Sequence, residues 1–539
     1  MTIKTYKYSL LIFLLLFSGC TKFDYTEDEN SRQHINSYLT LEQAVTGAYA
    51  KFAAIFADEL WRNSYLLQGM LADDYDLYSG WSCSGEDCVP YIYEGYGFQT
   101  FDDNGDTVYL AEGCYRRYHE GEEVMVGQSY LEFMNDAYRD LYKAITSQNF
   151  ILCQFEDRAI SNDAFNELLG EVYYMRAYSY FRLARLFGQI PLIIDADVDY
   201  QVHRASFEEI YRQIESDVLQ AIRLLPVTTF TARIPYITPC RGSAKAMLAE
   251  VYLTMGGYPV HDEEKYALAA HYASEVIDSA AIYGFGLLED YANLTDWKYG
   301  LHKEMVSIVQ YKSDFNWDMV TSEYFPAFQT NELSLFYRDA ITEVKFYNDY
   351  PASYRKNCTY NRAHDINITW DSTILVYPVE TTSCYRILLM NSTKFDYEAF
   401  LDNTEEYYIY ILRYSHTLLT YAEASARSGN LDEMSYEAIN MIRRRANKQP
   451  VTSPSPYDLT EDLTPEQFID SVVWERAWEL TGEPESRWFD LLRLGMIDNL
   501  DELRDPHEAP PPYEGILIGE YFFPIPNEDV YLNPNLLTE

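Results

Sequence analysis

Apolar residues recur at three- and four-residue steps in two separate blocks of the chain, a spacing that predicts two sets of amphipathic helices. In the first block the periodic stretches run 41–56, 130–155, 165–187, 207–225, 242–255 and 264–280. Ile210, Ile214, Val218, Ile222 and Leu225 show the pattern plainly, with one apolar side chain per turn on a single face. The second block covers 413–426, 434–446 and 465–494. Between and beside these stretches the periodicity is lost. Residues 73–127 and 283–403 are rich in Tyr, Trp, Gly, Asp and Asn instead. Long insertions without regular structure in a compact protein are usually functional, so the chemistry is expected there.

Helices joined by short Gly- or Pro-marked turns stack as pairs, in an arrangement similar to tetratricopeptide packing, although no strict repeat is present. The expected fold is therefore mainly α. A tetratricopeptide-like helical-pair scaffold would carry a large irregular insertion of loops and short strands.

The N-terminus adds an address. Lys4 and Lys7 precede the apolar run 8–17, which ends at Phe17-Ser18-Gly19-Cys20. A basic start, a short apolar core and small residues before the cut describe a secretory signal, too short to span a bilayer. Ser-Gly-Cys resembles a bacterial lipobox, which would make Cys20 the lipidated first residue of the mature chain. Asp24, Glu27, Asp28 and Glu29 follow and form an acidic, solvated tether. It resembles the signal that sends Bacteroidetes lipoproteins to the outer face of the outer membrane. The expected organisation is a lipoprotein signal peptide (1–19), a tether (20–36), and an N-terminal helical scaffold (37–284) with an aromatic loop insertion (73–127). An irregular ligand-binding subdomain (285–405) and a C-terminal helical scaffold and tail (406–539) complete it.

Charge narrows the partners. The 539 residues carry a formal net charge of −43. Removing residues 1–19 takes away two lysines and no acid, so the mature chain is more negative still. Such a field repels phosphate backbones and polyanionic ligands and permits neutral or cationic ones. Of eight cysteines, Cys20 is assigned to the anchor. Cys83 and Cys88 are spaced to close a small disulfide loop, with Cys358 and Cys384 a weaker pair. No Cys or His spacing suits zinc.

Four separated segments carry a family resemblance. The helix Glu171-Val-Tyr-Tyr-Met-Arg-Ala-Tyr-Ser-Tyr-Phe, ended by Phe187-Gly-Gln-Ile-Pro-Leu192, resembles a SusD/RagB signature. Gly242–Leu253, with Lys245 on its polar side, is similar to the next family helix. Tyr421-Ala-Glu-Ala424 and Ala438–Ala446 resemble a late helix pair. Glu475-Arg476, Glu479-Leu480 and Arg487-Trp-Phe-Asp-Leu-Leu-Arg493 resemble the C-terminal signature, as do Phe523-Pro-Ile-Pro526 and Asn533-Pro-Asn-Leu536. The chain departs from the pattern at Glu483-Pro-Glu-Ser486, where the family has Glu-Gly shortly before Arg-Trp. Within this signature Arg487 and Asp490, three apart on a helix, are expected to pair with each other.

The resemblance implies nutrient capture. A SusD-like protein would sit over the extracellular mouth of a SusC-like TonB-dependent transporter, take up a glycan or oligosaccharide, and close like a lid. The RagB-like alternative is capture of peptides, and a further alternative is a non-catalytic docking lipoprotein. By position, the loops after the first helix and those of the middle insertion would form the binding face. The first is the stretch Tyr75, Tyr78, Trp81, Tyr91, Tyr93, Tyr96 and Phe98, interleaved with Asp73, Asp74 and Asp76. The second holds Trp297, Trp317, Tyr324, Tyr347 and Trp370. Neutral sugars present C–H faces that stack on rings and hydroxyls that need carboxylates. Trp81, Tyr78, Asp74, Tyr75, Trp317 and Tyr324 are therefore the candidate ligand-binding residues. With 51 Tyr and 27 Phe in the chain, an individual ring is more often packing than platform.

An enzyme is not expected. HExxH, GxSxG, Walker-type and dinucleotide-loop motifs are absent. With 84 acidic residues, carboxylate pairs are inevitable and carry no information about glycosidase chemistry. No cofactor is expected, and no motif specifies a structural Ca²⁺.

Overall fold

The computed structural model describes residues 38–56, 72–73, 75–77, 99–101, 107–109, 123–155, 162–196, 201–294, 299–312, 340–342, 344–362, 368–370, 373–375, 384–386, 406–481, 483, 486–504 and 521–537. Residues 1–44 form one unit, described from the start of helix α1 (Tyr38–Ala54); residues 45–539 form the other. Helices α2 (Glu123–Phe155), α3 (Asp163–Phe187), α4 (Phe207–Leu224), α5 (Arg241–Gly256) and α6 (Lys265–Asp278) follow, and from α3 onward each packs on the one before it. The short α7 (Ala280–Tyr283) comes next. This is the helical-pair scaffold the periodicity predicts.

Local chemistry sets the helix ends. Ser206 caps α4 and exchanges hydrogen bonds with Glu209, a complete capping box. The α4 stripe buries Ile210, Ile214 and Val218 as expected. Helix α3 starts on Asn162, whose side chain accepts from the Ala164 amide, and stops at Gly188. Gly188 has φ 69°, a conformation that favours glycine. Tetratricopeptide-style helices usually bury one face, but almost every residue of α3 from Leu168 to Phe187 is buried, which makes it the central helix.

The second block returns through a two-stranded stem. Strands β4 (Met305–Lys312) and β10 (Glu406–Arg413) pair antiparallel, from Glu406 opposite Lys312 to Arg413 opposite Met305. Residues 313–405 therefore leave and re-enter the scaffold at one place. Strand β10 runs directly into α10 (Tyr414–Arg427), which packs on both α5 and α6 and closes the two blocks into one stack. Helices α11 (Glu433–Ala446) and α12 (Pro465–Glu479) pack on α10 in turn. The predicted continuous helix over 465–494 is broken. Helix α12 ends at Glu479, and α13 (Arg487–Arg493) restarts after Ser486. Pro484 lacks the amide a helix interior requires, and it lies in the segment that departs from the family pattern.

Short strands populate the irregular segments. They are β1 (Tyr75–Leu77), β2 (Gln99–Phe101), β3 (Thr107–Tyr109), β5 (Ala340–Thr342), β6 (Tyr360–Arg362), β7 (Ile368–Trp370), β8 (Thr373–Leu375) and β9 (Cys384–Arg386). They pair as β1–β5, β2–β3, β6–β9 and β7–β8. The β1–β5 pair is long-range, with Tyr75 opposite Thr342 and Leu77 opposite Ala340. Cys358 is a free, half-buried thiol, so the weaker Cys358–Cys384 pairing is not formed; Cys83 and Cys88 lie outside the described residues.

One backbone contact ties α5 to α13. The Tyr258 amide donates to the Arg493 carbonyl at 2.9 Å, and a Cβ on Gly257 would lie 2.2 Å from that oxygen. Backbone cannot yield there as a flexible side chain can. Gly257→Ala is expected to destabilise the protein by about 3 kcal/mol, the upper end of overpacking costs. Urea unfolding with an unchanged denaturant slope checks it.

Candidate functional site

Most of the sequence-predicted ligand residues lie outside the described residues: Asp74, Tyr78, Trp81, Trp317 and Tyr324, with Trp297 and the lipidation residue Cys20. Tyr75 is placed on β1, hydrogen-bonded in register with β5. That pairing joins the first aromatic segment to the middle of the second. Trp370 ends β7 in a separate pair with β8. Tyr347 is half-buried on α8 (Val344–Asp349), two residues beyond β5.

Both segments are rooted on α12 and α13. Asp73, read above as part of the aromatic, acidic ligand stretch, is fully buried and paired with Arg487. It is an anchor. The neighbouring Ala72 carbonyl accepts from Arg504 at 2.6 Å. The expected Arg487–Asp490 pair does not form, because Asp490 faces Arg476 and Arg493 instead. Both residues lie on α13, and competition from these other partners is the physical reason. Arg487 stands at the first residue of α13 and reaches Asp73, two residues before β1, while Asp490 turns toward Arg476 and Arg493.

On the other side, Phe346 and Tyr350 pack with Ala477, flanked by Tyr347, Trp474 and Trp478. A chain of ring contacts links the two roots. The Arg487 guanidinium lies 5.1 Å from the Trp474 ring. The Trp474 and Trp478 rings stack at 6.0 Å and 28°. Trp478 contacts Tyr350 at 5.9 Å, and Arg355 lies 5.6 Å from the Tyr350 ring. Lys356, on α9 (Tyr354–Thr359), sits 3.9 Å from the Tyr347 ring and donates to the Tyr350 carbonyl at 2.9 Å. Trp474 and Trp478 were not singled out in the sequence, although their i, i+4 spacing places both on one face of a helix.

Beneath the roots lies a buried ion-pair lattice. Glu479 is bound by Arg355 at 2.8 Å, Arg413 at 3.0 Å and Arg445 at 2.5 Å. Arg413 and Arg445 both reach Glu304, at 2.7 and 2.5 Å, and Arg413 reaches Glu483 at 2.6 Å. A second lattice joins Arg476 to Glu250 and Asp490, and Arg493 to Glu423 through two 2.7 Å bonds. Burial alone would push the Glu479 and Glu423 carboxyls up. Arg445, Arg413 and Arg355 hold Glu479 down at about 2, and Arg493 and Arg427 do the same for Glu423. Carboxylates locked in this way cannot donate a proton near neutral pH, so the lattice is scaffold and not acid–base machinery.

His302 contributes in the opposite sense. Burial lowers it to about 4, against the pull of Glu304, and its Nε2 lies 3.0 Å from the Tyr410 hydroxyl. Among the described residues no group of three or more His, Cys, Asp or Glu is placed to hold a metal ion. An open cleft of about 590 Å³ lies beside the start of α4, lined by His203, Arg204, Arg212 and Gln213 among others, and it includes none of the predicted ligand residues. No described helix is long and apolar enough to cross a membrane.

The fold and these contacts define a tetratricopeptide-like scaffold protein with a stem-borne insertion. Residues 99–253 match the family described as "Starch-binding associating with outer membrane", and residues 385–538 match the SusD family. The chain belongs to the SusD/RagB family. SusD-like protein P2 of Formosa agariphila is 26% identical over 574 residues, covering 99% of both chains. A SusD homolog from Bacteroides thetaiotaomicron shares the fold with a TM-score of 0.69 at 20% identity, covering 95% of this chain and 98% of that one. A laminarin-binding SusD-like protein matches with TM-score 0.62 at 18% identity, over 92% and 97%. A structure with a xylogluco-oligosaccharide matches with TM-score 0.62 at 19% identity, over 92% and 98%.

Two predictions follow from the lattice. Glu479→Gln leaves three buried guanidiniums short of charge and is expected to cost about 3–5 kcal/mol in chemical unfolding. Acid should act in two windows. The unfolded His302 binds a proton from about pH 6.5 while the folded one waits until about 4, so stability falls as pH drops through that range. The unfolded carboxyls protonate near 4.5 and the folded Glu479 and Glu423 near 2, so a further loss follows below about 4.5. Melting temperature measured from pH 7 to pH 3 is expected to decline throughout; a flat profile would refute the assignment.

Proposed function

We propose that this chain is a lipid-anchored protein of the outer cell surface that captures a neutral glycan and delivers it to a SusC-like TonB-dependent transporter. It performs capture and no catalysis. The observation that carries the reading is the β1–β5 pairing. It draws together the two aromatic, acid-bearing segments that the sequence offers as a sugar-binding face. The laminarin-binding and xylogluco-oligosaccharide structures of the same fold support it, as does the starch-binding description of the family matching residues 99–253.

The role of each part follows. Rings at Trp81, Tyr78, Tyr75, Trp317 and Tyr324 would supply stacking surfaces, each adding about 0.5–1.5 kcal/mol beyond area burial. The Asp74 carboxylate would accept from sugar hydroxyls. The rigid anchoring of Asp73, one residue away, would lower the ordering cost of that loop. Acyl chains on Cys20 would hold the protein at the membrane. The net charge of −43 selects against sulfated and uronic polymers.

Isothermal titration of the chain beginning after Cys20, against neutral polysaccharides, their oligomers and mixed peptides, tests the reading. Saturable heat with one neutral glycan, lost at least tenfold in Trp81→Ala, is expected. Heat from peptides alone would replace the glycan with a peptide ligand, and silence on both would sink the capture role.

A further inference from the structure

The cleft beside the start of α4 is built from pinned backbone. One wall is the segment around Leu192. The Tyr142 hydroxyl donates to the Pro191 carbonyl at 2.6 Å, and the Asn149 side-chain amide to the Ile193 carbonyl at 2.7 Å. The Ile193 amide donates in turn to the Tyr180 hydroxyl at 2.9 Å. A second wall runs from Val202 to Ala205. The Asn533 side chain donates to the Val202 carbonyl at 2.7 Å, and the Ala205 amide to the Ile190 carbonyl at 2.8 Å. The volume of about 590 Å³ lies in the range of small-molecule sites, which are usually formed before the ligand arrives.

Arg204 stands out in this cleft. It lines the space and is half-buried, and its backbone is bridged to Pro191. Its Nε is buried with no hydrogen-bond partner, and no described carboxylate pairs with its guanidinium. Other arginines taken out of water are held differently. Asp217 binds Arg176 at 2.7 Å, and Glu423 binds Arg493 at 2.7 Å. An N–H removed from water is normally satisfied, because left unpaired it has lost its hydration and gained nothing.

The acids of the neighbourhood are engaged elsewhere. Glu209 also lines the cleft, but its carboxylate closes the capping box, accepting from the Ser206 amide and hydroxyl at 2.9 and 2.8 Å. Glu208 takes Arg212 at 2.5 Å, and on the tail Glu528 takes Arg139 at 2.6 Å. The cleft therefore presents one uncommitted guanidinium beside the apolar side chains of Leu192, Val202 and Ala205.

These features select the ligand chemistry. The planar fork of a guanidinium matches a carboxylate, which it can hold through two parallel hydrogen bonds. One such cation suits one negative charge. A phosphate dianion or a polyanion would meet the Glu209 carboxylate and the field of a chain with net charge −43. The aliphatic walls suit a compact carbon body, and the fixed width of the cleft suits a small molecule over a polymer.

We infer that this cleft is a second binding site, which takes a small monocarboxylate on the Arg204 guanidinium. It shares no residue with the proposed glycan face and does not rest on the capture reading. Saturation-transfer NMR on the full chain in nonionic detergent tests it. The probes are butyrate and glucuronate, their uncharged counterparts butyramide and glucose, and inorganic phosphate. At least one carboxylate should give saturable transfer to wild type, with its uncharged counterpart at least tenfold weaker. Butyrate alone would identify the source as an aliphatic acid, and glucuronate alone as an acidic sugar; either result supports the site. Arg204→Gln should weaken the carboxylate at least tenfold. Arg204→Lys, which keeps the charge and loses the fork, should fall between. Arg223→Gln, at an exposed position of the same helix, should match wild type. Melting of Arg204→Gln should stay within a few degrees of wild type, because no partner is lost. The proposal is overturned if neither carboxylate saturates, if Arg204→Gln binds like wild type, or if phosphate binds as well as the carboxylate. A large drop in melting temperature would make Arg204 a structural residue and overturn it too.

Discussion

Glu479 is the point on which the rest of the structure hangs. It is fully buried at the last turn of α12 and receives three guanidiniums, from α9, from the end of β10 and from α11. Arg413 and Arg445 pass the connection to Glu304 at the foot of β4. The stem of the insertion, the late helices and α9 therefore meet at one carboxylate. Buried pairs of this kind add little net stability over an apolar core, since desolvation offsets most of the Coulomb gain. What they impose is geometry. A guanidinium deprived of its carboxylate is so costly that other registers of stem on scaffold are suppressed.

That constraint fixes the points at which the insertions join the helical stack. The β4–β10 stem fixes where residues 313–405 depart and return. Arg487 and Arg504 fix Asp73 and Ala72, the threshold of the first aromatic segment. The contacts from Arg487 through Trp474, Trp478 and Tyr350 to Arg355 span the distance between these roots. Roots fixed in this way allow the segments between them to vary without disturbing the scaffold.

The helical scaffold was legible in the sequence because α4-type stripes obey a 3.6-residue period that burial then honours at Ile210, Ile214 and Val218. The lattice was not. Arg413, Glu304 and Glu479 are far apart in the chain, and nothing local distinguishes a buried, paired arginine from a solvated one. Proximity in sequence even misled, since Arg487 and Asp490 suggested an i, i+3 pair, whereas Arg487 is taken by Asp73 and Asp490 by Arg476 and Arg493. The pairing of β1 with β5 was equally hidden, because three-residue strands leave no periodic trace. For the ligand face, the sequence supplied residue types, while the described framework supplies only the roots and Tyr75.

The lattice also shapes the outer surface. Arg176, Arg355, Arg413, Arg444, Arg445, Arg476, Arg487 and Arg493 are all buried against carboxylates. Charges cancelled inside take these arginines out of play at the surface, so they do not offset the net charge of −43 that partners meet. A net field of that sign disfavours anionic partners and tolerates neutral ones.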